Sequence, residues 1–165
     1  MKAQFYIDTV NRMRENGSLG SAIVSIGKAA TAFVYAFYPL MLIVLGVVKS
    51  SNLLKAIIVP AVSFVFVSVL RYFLNFPRPY EKIEGLTPLY QKKTKGKSFP
   101  SRHTFSAFCI AATTLYFNYN LGLFVFLVGA VLGLCRVLSG VHFIRDVVAG
   151  AIIGTLCGVV GMYCF

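Results

Sequence analysis

AATAFVYAFYPLMLIVLGVV, Ala29 to Val48, runs for twenty residues without a charge. Wound as a helix at ~1.5 Å per residue it spans the ~30 Å hydrocarbon core of a bilayer. Four further apolar runs follow, Ala56 to Leu70, Thr104 to Phe117, Leu121 to Cys135 and Val147 to Phe165. With their flanking residues they predict five spanning helices at about residues 24–48, 53–74, 102–118, 121–138 and 141–164. The expected fold class is therefore all-α, a polytopic transmembrane helical bundle.

Composition agrees: of 165 residues 58% are apolar and only 13% charged, a balance foreign to water-soluble domains. One membrane-embedded domain, 1–165, uses nearly the whole chain and leaves no room for a second, soluble one. The opening MKAQFYIDTVNRMRENGS has no apolar core and does not read as a cleavable signal peptide. Ala3, Tyr6, Val10 and Met13 recur there at helical spacing beside Arg12, Arg14 and Glu15, which predicts a short interfacial helix within residues 1–20, ended by Asn16-Gly17.

Cys109, Cys135, Cys157 and Cys164 fall in apolar spans without Cys-x-x-Cys spacing and read as buried thiols. With two histidines, five carboxylates and no cluster of them, no metal site and no cofactor are expected. The formal charge of +11 gathers at span ends, so the expected partners are the bilayer and a lipid in it, not nucleic acid.

Threading five spans back and forth puts the N-terminus, the loop 75–100 and the turn at Ser139-Gly140 on one face. Arg71, Arg78, Arg102, His103, Arg136, His142 and Asp146 then share that face. Taken singly, each is an ordinary interfacial residue, and the lysines at 92, 93, 95 and 97 are an ordinary solvated run. Ionisable groups at membrane spans are nonetheless costly and tend to be functional, and here three separate stretches converge.

In FPSRHTF, Ser98 or Phe99 is expected to cap the next helix, with Pro100 in its first turn. The N–H groups of Ser101, Arg102 and His103 would then face an anion, aided by the Ser101 hydroxyl and the Arg102 guanidinium. In RVLSGVHFIRD, His142 and Asp146 are four apart at a helix start, so the carboxylate reaches one imidazole nitrogen and leaves the other free as a nucleophile. Arg136 folds back at the Ser139-Gly140 break, and Arg78, between Pro77 and Pro79, sits in a turned segment that aims it at the same point. Arginines so gathered call for a multiply charged anion. Gly150, Gly154 and Gly158, with Gly129 and Gly133 on the preceding span, read as close helix packing that holds the site from behind.

Taken together, RYFLNFPRP, PSRH and CRVLSGVHFIRD resemble the type 2 phosphatidic acid phosphatase superfamily of membrane lipid phosphatases. Its signature is Lys, six residues, Arg-Pro; Pro-Ser-x-His; then Ser-Arg, five residues, His, three residues, Asp. The similarity runs from about Arg71 to Gly154, with Arg71 standing where the family has lysine and Cys135 where it has serine. The resemblance implies a catalytic set of His142, His103 and Asp146. His142 attacks phosphorus to give a phosphohistidine, Asp146 orients it, and His103 protonates the leaving oxygen and then activates water. It implies phosphate contacts from Arg71, Arg78, Ser101, Arg102 and Arg136.

The expected function is a metal-independent lipid phosphatase. Its first candidate substrate is undecaprenyl diphosphate, as for the small bacterial members, with phosphatidylglycerophosphate or phosphatidic acid as the alternative. A non-catalytic anion- or lipid-binding membrane protein is the competing class, and it leaves the full set of two histidines and an aspartate without a purpose. A soluble haloperoxidase with a similar anion pocket does not fit so apolar a chain. Excess lysine and arginine place the site face in the cytoplasm by the positive-inside rule, whereas the resemblance places it on the outer surface of the cell membrane. The outer face is the expectation taken here.

Overall fold

Each apolar run becomes helix, and no strand occurs among the described residues, which are 2–91 and 95–164 of a computed structural model. The helices are α1 Lys2–Glu15, α2 Gly17–Val47, α3 Leu53–Leu74, the single turn α4 Pro79–Lys82, α5 Arg102–Phe117, α6 Tyr119–Leu138 and α7 Ile144–Tyr163. Of these, α2, α3, α6 and α7 are long and apolar enough to cross a membrane. Lys92 and Lys93 of the expected lysine run lie outside the described residues.

The fifth expected span, 102–118, is helical but differs in kind. α5 has 16 residues, ~24 Å of helix, and lies at the centre of the bundle with α7, α6, α3 and α2 around it. Phe105, Ala107, Cys109, Ala111 and Ala112 are all buried. The hydroxyls of Thr113 and Thr114 donate back to the carbonyls of Cys109 and Ile110 at 3.0 and 2.8 Å, so their polarity is satisfied within the helix.

Two boundaries also move. α2 begins at Gly17 rather than near 24, because the Asn16 side chain accepts the Leu19 N–H at 3.2 Å and caps α2 as soon as α1 ends at Glu15. At the other end of the chain α7 begins at Ile144, so Val141 and His142 stand in the turn before it.

Small residues decide how closely the rods approach. A Cβ on Gly150 would lie 2.6 Å from the Ser101 carbonyl oxygen, and one on Gly158 would lie 2.8 Å from that of Cys109. At Gly154 it would strike the Phe105 carbonyl. The glycine stripe of α7 thus rests on the α5 backbone, a separation that any larger side chain would forbid. Gly129 and Gly133 of α6 meet the Phe108 ring and Val147 respectively.

At one end of the bundle α1, the loop 75–100 and the α6–α7 turn lock together. Val10 is wholly buried against Gly140, whose φ of +73° suits the turn. Tyr6 accepts the Ile144 N–H at 3.0 Å, Leu89 donates to the Ser139 carbonyl at 3.1 Å, and Arg14 donates to the carbonyls of Thr87 and Pro88. The expected interfacial helix is therefore also a strap across the site end.

Candidate active site

The α6–α7 turn and the residues entering α5 form one unit. The Ser101 N–H donates to the Asp146 carbonyl at 2.8 Å, and Phe143 donates its N–H to the Asp146 carboxylate at 3.1 Å. Asp146 therefore pins its own helix start with its side chain and the start of α5 with its backbone. His142 is held on the same frame, its N–H donating to the Arg136 carbonyl at 3.3 Å.

His142 and Asp146 meet although only Asp146 is helical: Nδ1 lies 3.6 Å from Oδ2. Ser98, which the sequence offered only as a helix cap, completes the contact. Its hydroxyl donates to Asp146 Oδ2 at 2.5 Å and lies 3.4 Å from His142 Nδ1. All three side chains are buried. The imidazole is thus gripped from its Nδ1 side, which fixes the orientation of the ring and leaves Nε2 outside that grip. Burial, with the positive charges of Arg78 and Arg71, pushes the His142 pKa down to about 4 against the opposing pull of Asp146. At neutral pH the imidazole is therefore uncharged.

The arginines divide by what they touch. Arg71 is buried at the end of α3 and donates to the carbonyls of Lys97, Ser98 and Pro100, the Ser98 contact measuring 3.1 Å. It holds the loop that carries Ser98. Arg78 is buried and donates to the Val141 carbonyl at 3.2 Å, and Arg136 reaches the Thr31 hydroxyl at 2.8 Å and the Tyr90 hydroxyl. Both keep a buried Nε–H with no hydrogen-bond partner among the described residues. A buried orphan donor on a cation is costly, and two of them in one region suit an anion.

Two expected phosphate contacts stand differently. Arg102 is exposed, with its guanidinium 5.4 Å from the centre of the Phe64 ring on α3 and near enough to Arg71 for the two charges to interact. Its position next to α3 follows from helix geometry, since the first residue of α5 faces the neighbour on that side. Ser101 is the N-cap of α5 and buried, but its N–H is taken by Asp146 and its hydroxyl lies 3.0 Å from that of Thr104. Pro100 precedes the cap instead of occupying the first turn.

His103 lies on the wall of a separate cavity from the contacts of this frame. With Arg136 it lines a cavity of about 530 Å³ that also reaches Tyr90 and the α2 residues Gly27, Lys28 and Thr31. By their contacts the site residues form two groups: His142, Asp146, Ser98, Arg71 and Arg78 around the 97–101 and 141–146 backbone, and His103 and Arg136 on the cavity wall.

Sequence reasoning missed Ser98, Thr31, Tyr90 and Glu81. Glu81 accepts the N–H groups of Arg78 and Gly96 at 2.9 and 3.0 Å and so closes the 75–100 loop on itself. A single serine or threonine hydroxyl carries no periodic signal, so nothing local marks these residues; Glu81, three residues after Arg78 and beside Pro79, had the spacing of a helix-start contact.

Residues 40–165 match the model of the PAP2 superfamily, a stretch that contains Arg71, Arg78, Ser98, His103, Arg136, His142 and Asp146 but not the α2 residues of the cavity. The chain belongs to that superfamily. It is similar to LpxE of Aquifex aeolicus, with 29% identity, a TM-score of 0.74 and coverage of 96% of this chain and 92% of the other. Across 159 residues it is 24% identical to the bacitracin transport permease protein BcrC of Bacillus licheniformis, covering 93% of this chain and 77% of that one. The fold is also that of a transmembrane PAP2-type phosphatidylglycerolphosphate phosphatase from Bacillus subtilis, at 21% identity, TM-score 0.62 and coverage of 96% and 90%. The PAP2 chain is thus a helical membrane protein and a lipid phosphatase by family.

Proposed function

We propose that this PAP2 phosphatase hydrolyses a lipid diphosphate, with undecaprenyl diphosphate as the substrate, through a phosphohistidine on His142. One observation carries the reading: a buried imidazole fixed at Nδ1 by Asp146 and Ser98, beside Arg71 and Arg78. Anion binding alone needs no such oriented nucleophile.

In the first step His142 Nε2 bonds to the terminal phosphorus as the bond to the bridging oxygen breaks. The lipid monophosphate leaves with that electron pair, and His103 supplies the proton. Asp146 offsets the charge that grows on the imidazole. In the second step water attacks the phosphorus, His103 takes its proton, and phosphate departs from Nε2. Arg78 and Arg136 supply their free Nε–H groups to the oxygens where charge accumulates. Ser101 contributes by fixing the α5 start, and Arg71 by fixing the loop that holds Ser98.

Purified protein in detergent with EDTA is expected to release phosphate from undecaprenyl diphosphate with a higher kcat/KM than from phosphatidylglycerophosphate or phosphatidic acid. A preference for either monoester overturns the substrate. Loss of activity in EDTA, regained with magnesium, overturns the arginine-based mechanism, in which vanadate should inhibit as a five-coordinate mimic. Rapid quenching should trap acid-labile phosphate on His142. We place the site on the outer face; a Glu84→Cys probe in a Cys164→Ser background should label with an impermeant maleimide in intact cells, and protection until lysis reverses the orientation.

A further inference from the structure

The cavity on the His103 flank contains more cation than the chemistry of a single phosphate requires. Its wall holds Lys28, His103 and Arg136 with the hydroxyls of Thr31 and Tyr90, and no carboxylate is among its lining residues. Arg136 is anchored to both hydroxyls and still has a buried Nε–H with no partner among the described residues. A cavity so lined stabilises an anion and offers it no internal competitor.

The depth of Lys28 agrees. α2 has 31 residues, ~46 Å of helix at ~1.5 Å per residue, which exceeds a ~30 Å hydrocarbon core by ~16 Å. Lys28 comes eleven residues after the first residue of α2, about 16 Å along the axis. With the far end of α2 at the opposite boundary, this lysine lies at the near edge of the hydrocarbon core, from which its side chain reaches out to the lipid phosphates. A rim lysine that only anchors the helix would need no cavity, and this one shares its cavity with the proposed general acid and an arginine.

Position relative to His103 then says which phosphate it meets. The group that protonates the leaving oxygen has to face the leaving group, so the leaving group lies on the His103 flank, in this cavity. For a diphosphate the leaving group is the lipid-bound phosphate, which carries its own negative charge. For a monophosphate it is an uncharged alcohol oxygen, which gives an ammonium nothing to bind.

We propose that Lys28 is a specificity-determining residue: it binds the lipid-proximal phosphate, the one that leaves, and so selects diphosphates over monophosphates. This rests on the phosphatase reading above and adds a residue to it. The bonds made and broken are those already given, with Lys28 stabilising the departing monophosphate by a charge-assisted contact.

The test compares farnesyl diphosphate with farnesyl monophosphate in detergent, taking the ratio of their kcat/KM values in wild type, Lys28→Gln and Lys28→Arg. The wild-type ratio should favour the diphosphate, fall about tenfold or more in Lys28→Gln, and return most of the way in Lys28→Arg, as expected for one lost charge-assisted bond. A wild-type enzyme that does not cleave the diphosphate overturns the substrate reading and this one with it. A wild-type preference for diphosphate that is unchanged in Lys28→Gln overturns the role of Lys28 alone. Equal loss on both substrates also overturns it, since it assigns Lys28 to general support; a melting temperature near wild type separates this from misfolding.

Discussion

The face where α5 meets α7 and the cavity that His103 lines are built on opposite terms. Towards α7 the helix backbones nearly touch, with Gly150, Gly154 and Gly158 against the carbonyls of Ser101, Phe105 and Cys109, and His142, the proposed nucleophile, sits in a lattice of short polar contacts. Towards α2 there is a cavity of about 530 Å³. The contrast follows from what each partner of the reaction requires. An attacking nitrogen gains from being fixed to within a fraction of an ångström, whereas a departing lipid needs room and charge.

The largest effect expected is on the tight flank. His142→Ala should lower turnover on the order of a thousandfold or more while the melting temperature stays near wild type, because no neighbour is placed to take over the covalent step. Measurable phosphoenzyme in that variant would put the nucleophile elsewhere. Gly154→Leu should lose on the order of a hundredfold in rate together with thermal stability, since it levers α7 off the Phe105 carbonyl and moves the His142 turn by ~1 Å. His103→Ala, on the open flank, should lower turnover alone. If Gly154→Leu melts and turns over as wild type, the tight flank is not what holds the nucleophile.

How far this contrast was legible in the sequence depends on the kind of signal. Four of the helices were read from apolar length, because a lipid-crossing helix has to be long and uncharged. The same argument read α5 as a helix but not its burial, since apolar sequence cannot distinguish a helix bathed in lipid from one wrapped by other helices. His142 and Asp146 were readable because a spacing of four survives the shift of His142 out of the helix. Ser98 was not, because its partners are 44 and 48 residues away. Lys28 stood in an apolar approach to the first span, and its meaning came only when α2 was set beside His103 and Arg136.

Ser98→Ala sharpens the tight flank at a smaller scale. Loss of one hydroxyl from the Asp146–His142 contact should reduce kcat about tenfold with KM little changed. The pH profile supplies the independent readout. His142 has to be unprotonated to attack, so its acid limb should lie near pH 4, below the ordinary imidazole value near 6.5. Arg78→Gln removes a positive charge that holds the pKa down, so in what activity remains the limb should move to higher pH. A limb that stays in place would mean Arg78 is too distant to act on His142.

The smallest effect expected belongs to Arg102, although the sequence groups it with the phosphate ligands. Its guanidinium lies over Phe64, exposed on the outer side of α5, and an exposed cation–π contact contributes only ~0.5–1 kcal/mol. Arg102→Gln should therefore leave turnover within about threefold of wild type and lower the melting temperature slightly. Arg78→Gln, which removes a buried donor beside the nucleophile, should lose far more. The pair of variants tests whether proximity in sequence to His103 or burial in the frame decides which arginine handles phosphate. An Arg102→Gln loss as deep as that of Arg78→Gln would mean that the side chain leaves Phe64 and swings to the substrate, and the tight flank would then be completed by the ligand rather than built in advance.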